Sequence, residues 1–331
     1  MSNKESSIKF ADAESLLENF ARQGITEFTL QDENILNHKG KLLKFLQSIA
    51  EKAPDLFLTL PVKADILDMD VCKAVASLYC TLEIPLIGTS KGGTYLFDKK
   101  FYSRRAQMLN NLGLVFGFDL DFAAESGDSV KQFRDRLDFA VSLYPNHIDF
   151  PQLAPDSGAR QPSPSATFST QDIRMTKETA AACEAFYSYG RAVTWFLSLL
   201  RPLKMTPSRF FQDFAEWQNI NNCGKNSGWN AAAAEHEEIE KMQLAFVKFK
   251  LEEKNKSQLY SAAKDIICLN GAFSRCYGEN KTTELTLSYN PEDVLSGESQ
   301  NIQAFVDNVM MENCKVRVFP TDDGADFKVL N

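Results

Sequence analysis

In the first half of the chain, short apolar runs alternate with apolar stripes spaced three and four residues apart. Glycine, proline and acidic breaks separate them. The clearest stretch is LGLVFGFDLDFAAESGDSVKQFRDRLDFAVSLYPNHIDFPQL, residues 112–153. Gly113 has the position of a residue that closes a helix. Residues 114–118 form a nearly continuous apolar run, the pattern of a strand buried on both faces. An acidic loop with Glu125, Gly127 and Asp128 follows, and Asp128 is placed to cap the next helix. Val130, Phe133, Leu137 and Val141 make one stripe of that helix, which runs to residue 144. Pro145 and Asn146 break it, and a strand begins again at Ile148.

The same unit recurs upstream. Helices are expected at 13–22, 42–50, 68–79 and 102–112, with strands at 27–30, 56–62 and 81–87. About five strand–helix alternations in one contiguous half argue for an α/β barrel or a doubly wound sheet. Parallel strands need helical crossovers, and such folds carry their chemistry at the carboxyl ends of the strands. A strand ahead of the first helix would complete the pattern, but the chain opens with polar MSNKESS.

The pattern changes at 151–169, where prolines and serines crowd into a long loop. Beyond it, helices are expected at 176–200, 208–219 and 230–251, the last extending to 268 through a weak spot at 254–256. Strands at 284–289 and 315–319 flank a turn at 291–295 and a helix at 302–310. The expected organisation is a core at 8–153, a Pro/Ser-rich loop at 154–171 and a mainly helical region with two short strands at 172–331.

Composition narrows the class. With 331 residues, 44% hydrophobic and 24% charged, the chain reads as an ordinary soluble globular protein. No apolar run approaches the roughly 20 residues of a membrane span. The amino end lacks an apolar signal core, so the cytoplasm is the expected location. The 7 cysteines form no CxxC or CxxxC pair, and reduced, buried thiols are expected. The net charge of −8 argues against a broad nucleic-acid footprint.

Candidate chemistry is sparse. Asp32 and Glu33 follow the 27–30 strand, as ligand groups or as helix caps. Thr89 and Ser90, with the Lys91-Gly92-Gly93 turn, offer hydroxyls and backbone N–H groups to a ligand or form a surface turn. Asp119, Asp121 and Glu125 lie at or past the end of the 114–118 strand, lining a mouth or standing as solvated loop acids. The spacing of a phosphate-binding P-loop is missing. Of the 3 histidines, His38 is in a loop and His147 begins a strand. His236 lies in Glu-His-Glu-Glu, which is not HExxH, and is expected at a solvent-facing helix start. No GxSxG or Cys–His nucleophile pattern occurs.

The order of segments over residues 8–153 resembles the core of the radical S-adenosylmethionine superfamily, in its cobalamin-associated branch. GITEFTLQDEN, from Gly24 to Asn34, resembles that family's second strand with its acidic end. LPVKADIL, from Leu60 to Leu67, resembles the third strand and its R-x-D-x-L exit, with Lys63 in place of arginine. IPLIGTS, from Ile84 to Ser90, resembles the fourth strand. Leu112 to Ser129 resembles the fifth strand and its loop, with Ala123-Ala124-Glu125-Ser126 replacing the glycine-rich end. YPNHI, from Tyr144 to Ile148, resembles the approach to the sixth. The resemblance implies a partial TIM-like (β/α) barrel of parallel strands, followed by the helical appendage with a small sheet. It implies an S-adenosylmethionine site drawing on Asp32, Glu33, Lys63, Thr89, Ser90, Asp119, Asp121 and Glu125.

One departure outweighs the matches. The family's C-x3-C-x2-C motif, whose three thiolates hold a 4Fe–4S cluster, is missing, as is the first strand. Cys72 and Cys80 are too far apart for a chelating loop, and Cys268 and Cys276 have the same fault. The resemblance therefore implies the carboxyl-terminal portion of a radical S-adenosylmethionine enzyme. An upstream polypeptide would supply cluster and cobalamin, and would cover the open edge of the 27–30 strand unless residues 2–10 do so. The substrate would be a small molecule, with no membrane involved. Two alternatives stay open: a cluster-less binding module, and an unrelated α/β-barrel enzyme.

Overall fold

The computed structural model describes residues 23–91, 94–154, 158–322 and 324–330. The helix expected at 13–22 and the segment 2–10 lie outside these. The chain divides into two units. One runs to Asp128 and includes Phe139–Pro151; the other is Ser129–Asp138 with the residues from Gln152 onward.

The first unit is built on β1 (Glu27–Thr29), β2 (Phe57–Pro61), β3 (Cys80–Pro85), β4 (Thr89–Lys91), β5 (Thr94–Leu96), β6 (Val115–Asp119) and β7 (His147–Asp149). Strands β1-β2-β3-β6-β7 form one parallel sheet whose spatial order is their chain order. A doubly wound sheet reverses its order at a switch point; this one does not. Among the described residues the sheet is open, with β1 and β7 at its edges. Helices α1 (Glu33–Leu36), α2 (Lys39–Lys52), α3 (Met69–Val75) and α4 (Lys99–Asn111) alternate with the strands along the chain, and α2 packs on α3 and α3 on α4; α5 (Val130–Ser142) precedes β7 in sequence and is divided between the two units. β4 and β5 form an antiparallel hairpin after β3 that the apolar pattern does not announce.

Alternation along the strands separates two faces. Leu58, Leu60, Leu82, Ile84, Phe116, Phe118 and Ile148 are at most 1% exposed and form the core face. The opposite face carries Phe57 and Val115, both more than 40% exposed, together with Thr59, Glu83, Asp119, His147 and Asp149. Local signals set the helix ends. Asp68 accepts hydrogen bonds from the N–H groups of Asp70 and Val71, and Asp98 from that of Phe101. Gly113 takes φ +65° just past α4. Asp128 is not the cap of α5. It is 2% exposed and accepts from the Ala123 N–H at 3.0 Å, pinning a loop residue held at φ 51°. The neighbouring Ser129 accepts from Gln132 N–H instead.

The second unit is helical with a small sheet. Helices α6 (Thr170–Cys183), α7 (Phe196–Leu203), α8 (Pro207–Ile220), α9 (His236–Glu253), α10 (Tyr260–Glu279), α11 (Pro291–Leu295) and α12 (Ile302–Asn308) accompany an antiparallel sheet of β8 (Thr283–Leu287), β9 (Cys314–Thr321) and β10 (Gly324–Leu330). Its core stacks Phe186, Phe196, Phe210, Phe214 and Phe246 at ring separations of 4.9–6.4 Å. The helix expected at 176–200 is broken after a π turn at Glu184–Ser188. Gln243 donates to the carbonyls of Phe186 and Gly190 that the break releases. The 230–268 helix is likewise two, with Lys254 closing α9. His236 is not solvent-facing: it is 6% exposed, with Arg275 Nη1 3.0 Å from its Nδ1. Burial, with the charges of Arg191 and Arg275, pushes its pKa down to about 4, so it is neutral. No helix among the described residues is long and apolar enough to cross a membrane.

Candidate functional site

Three neighbouring strands bring a histidine and three carboxylates together on the open face of the first sheet. Register places Glu83 of β3, Gly117 of β6 and His147 of β7 in one row. The next row toward the carboxyl ends holds Pro85, Asp119 and Asp149. Two strand spacings, about 10 Å, separate the backbones of β3 and β7. His147 closes that gap by lying over Gly117: its Nε2 is 2.9 and 2.8 Å from the two Glu83 carboxylate oxygens. It is also 3.4 Å from Asp149 Oδ2. A Cβ at position 117 would sit 2.0 Å from Nε2, so only glycine permits the crossing.

The surroundings raise the pKa of Asp119, Asp149 and His147. Burial raises the Asp119 pKa, the Glu83 and Asp149 charges raise it further, His147 opposes them, and the result is about 7. Burial raises Asp149 to about 6 against the opposing charge of His147. For His147, burial acts downward. The Glu83 hydrogen bond and charge, with Asp149 and Asp119, outweigh it, and the net shift is upward. Three carboxylates thus share a small region with one imidazole, and of them Asp119 and Asp149 change protonation near neutral pH.

The expected site residues distribute differently. Asp119 joins this cluster. β6 ends at Asp119, so the alternation that would carry Asp121 to the same face stops there. Glu125 is exposed in the loop beyond. Asp32 caps α1 by accepting from Asn34 N–H at 2.8 Å, and Glu33 is exposed on its first turn. Lys63 lines a cleft of about 280 Å³ at the carboxyl ends of β1 and β2, with Leu36, Asn37, Lys39, Asp65 and Asp68. Lys39 there bridges Asp68 and Asp70. Thr89 and Ser90 are exposed on the β4–β5 hairpin. Sequence reasoning missed Glu83, Gly117 and Asp149, and took His147 only as the start of a strand. The available signal was a charge set between Leu82 and Ile84 in an otherwise apolar strand.

The seven cysteines do not fit an iron–sulfur cluster. Cys72, Cys80, Cys183, Cys268 and Cys276 are buried. Burial pushes Cys72 up to about 11 and Cys80 up to about 12, and no cysteine joins a group of three or more potential ligands among the described residues.

No protein-family model and no curated protein match the chain. Among solved structures it is similar to the radical S-adenosylmethionine methyltransferase TsrM from Kitasatospora setae with cobalamin and a 4Fe-4S cluster bound, at 15% identity and a TM-score of 0.35 over 43% of this chain. TsrM with tryptophan substrate and an S-adenosylmethionine analogue gives 16% identity and a TM-score of 0.35. The chain spans 30% of the length of those structures.

Proposed function

We propose that this chain is the strand-and-helix portion of a radical S-adenosylmethionine protein of the cobalamin-associated kind. It binds S-adenosylmethionine at the carboxyl ends of its strands and takes its cluster from residues outside this sequence. The observation that carries the reading is strand order. Five parallel strands follow one another across the sheet in chain order, as in a (β/α) barrel. The motif resemblance runs through the same strands. Among the described residues no cysteine joins a group of three or more potential metal ligands, so a cluster would draw its thiolates from elsewhere. What the chain itself offers is Asp119, whose carboxylate would face the cationic sulfonium or ammonium of the ligand, and the Lys63 cleft, which would take its carboxylate.

Isothermal titration of the full chain with S-adenosylmethionine tests this, using S-adenosylhomocysteine, which lacks the sulfonium charge, as the comparison. The expected result is weak binding that prefers the sulfonium and drops about tenfold in Asp119→Asn, the loss of one charged contact. Absence of binding, or equal binding of both compounds, would overturn the reading. The proton-exchanging cluster supports a second reading, a cluster-independent binding module or acid–base enzyme, which the same titration favours if neither compound binds.

A further inference from the structure

We infer that Glu83, His147 and Asp149 form a binding site for a divalent transition-metal cation, separate from the iron–sulfur chemistry that the family resemblance brings. Ligand atoms from the three residues lie within 4.8 Å of one another. One imidazole and two carboxylates suit zinc, manganese or ferrous iron better than a thiolate-preferring ion. With metal–ligand bonds of about 2.0–2.2 Å, neighbouring donors in a tetrahedral site stand about 3.4 Å apart. His147 Nε2 and Asp149 Oδ2 are already at 3.4 Å. The Glu83 contact at 2.8 Å has only to open by about half an ångström as the ion replaces the hydrogen bond.

Other features of the same face point to a ligand there. Gly117 lets the His147 ring lie over the β6 backbone, which brings its Nε2 to the carboxylates on either side. Thr81, two residues before Glu83 on the same face of β3, is 8% exposed, and its Oγ1 has no hydrogen-bond partner. Asp119 stands beside Asp149 on the adjacent strand and adds a third carboxylate to a single imidazole. An ion pair between Glu83 and His147 alone leaves that acidity unbalanced; a divalent cation offsets it. The donors sit on two strands of one parallel sheet, Glu83 on β3 and His147 and Asp149 on β7, a rigid support.

The test uses the full, tag-free chain, stripped with EDTA, desalted and titrated with zinc chloride and with manganese chloride. Calorimetry reads affinity, and elemental analysis after desalting reads stoichiometry. One equivalent is expected, with affinity about 100-fold weaker in His147→Ala and reduced in Asp149→Asn. Cys80→Ser should bind as the parent does. Glu83→Gln, which keeps the shape of the side chain, guards against a misfolded alanine variant, and its circular dichroism is recorded alongside. Cobalt substitution should give visible absorption bands that His147→Ala abolishes. Substoichiometric uptake by the parent chain, uptake unchanged in His147→Ala, or uptake lost in Cys80→Ser would each overturn the site. S-adenosylmethionine is absent throughout, so the outcome is independent of the proposed function.

Discussion

Replacing Asp119 by asparagine keeps the size of the side chain and removes its ionisation. In the folded chain its pKa stands at about 7 against an ordinary 3.8. The difference is roughly three units at about 1.4 kcal/mol each, so ionising Asp119 in place costs on the order of 4 kcal/mol. Between about pH 4 and pH 7 the folded state holds a proton that the unfolded state has lost, so stability falls as pH rises through that window. Asparagine escapes the penalty. Because His147 and Asp149 readjust their own protons, about half of the ceiling, ~2 kcal/mol, is the expected gain for Asp119→Asn at pH 8, vanishing near pH 4. The probe must report on the first unit, and Trp195, Trp217 and Trp229 all belong to the second. Cys72 serves instead: it is fully buried in α3, and its modification under increasing urea by a dipyridyl disulfide, which stays reactive toward thiols at acid pH, read by mass spectrometry, follows its exposure. The measurement is made in EDTA. A variant no more stable than the parent at pH 8, or a difference independent of pH, would refute the assigned electrostatics.

Gly117→Ala should force His147 off Glu83 and cost about 1–3 kcal/mol by overpacking, read by the same Cys72 modification; an unchanged urea midpoint would contradict the crossing geometry. Glu83→Gln should lower the His147 pKa, because burial then dominates, and an NMR titration of the imidazole that finds it unmoved would refute the coupling. Glu240→Ala strands the buried Arg275 guanidinium without its partner at 2.7 Å. About 3–5 kcal/mol of second-unit stability should be lost by tryptophan fluorescence, and a loss under about 1 kcal/mol would mean that Glu237 takes over.

The strands of the first unit were legible because each is an apolar run bounded by turn residues, and 27–30, 56–62, 81–87 and 114–118 all overlie observed strands. Their order in the sheet was legible only as a class, barrel or doubly wound. The site was largely hidden. Glu83 and His147 are 64 residues apart, and nothing local marks a histidine that reaches across a glycine to the next strand but one. Asp119 was singled out because it ends a strand, whereas the alternation expected to carry Asp121 to the same side stops where β6 ends. His236 was misread because first-turn rules describe an isolated helix, while Arg275 and Gly190 enclose this one. The break near residue 188 was invisible because the side chain that stabilises it, Gln243, comes from another helix. β10 was missed because its exposed, half-polar sequence lacks an apolar face.

The central claim is tested most directly by co-expressing this full chain with the polypeptide encoded immediately upstream of it. The pair is purified without oxygen and assayed for S-adenosylmethionine cleavage with dithionite as electron donor. The account predicts a stable pair carrying four irons per complex and releasing a product derived from the adenosyl or methyl group. It also predicts that Asp119→Asn in this chain lowers the rate without loss of iron. A chain that stays alone beside that polypeptide, or a pair that binds iron and leaves S-adenosylmethionine intact, would contradict it.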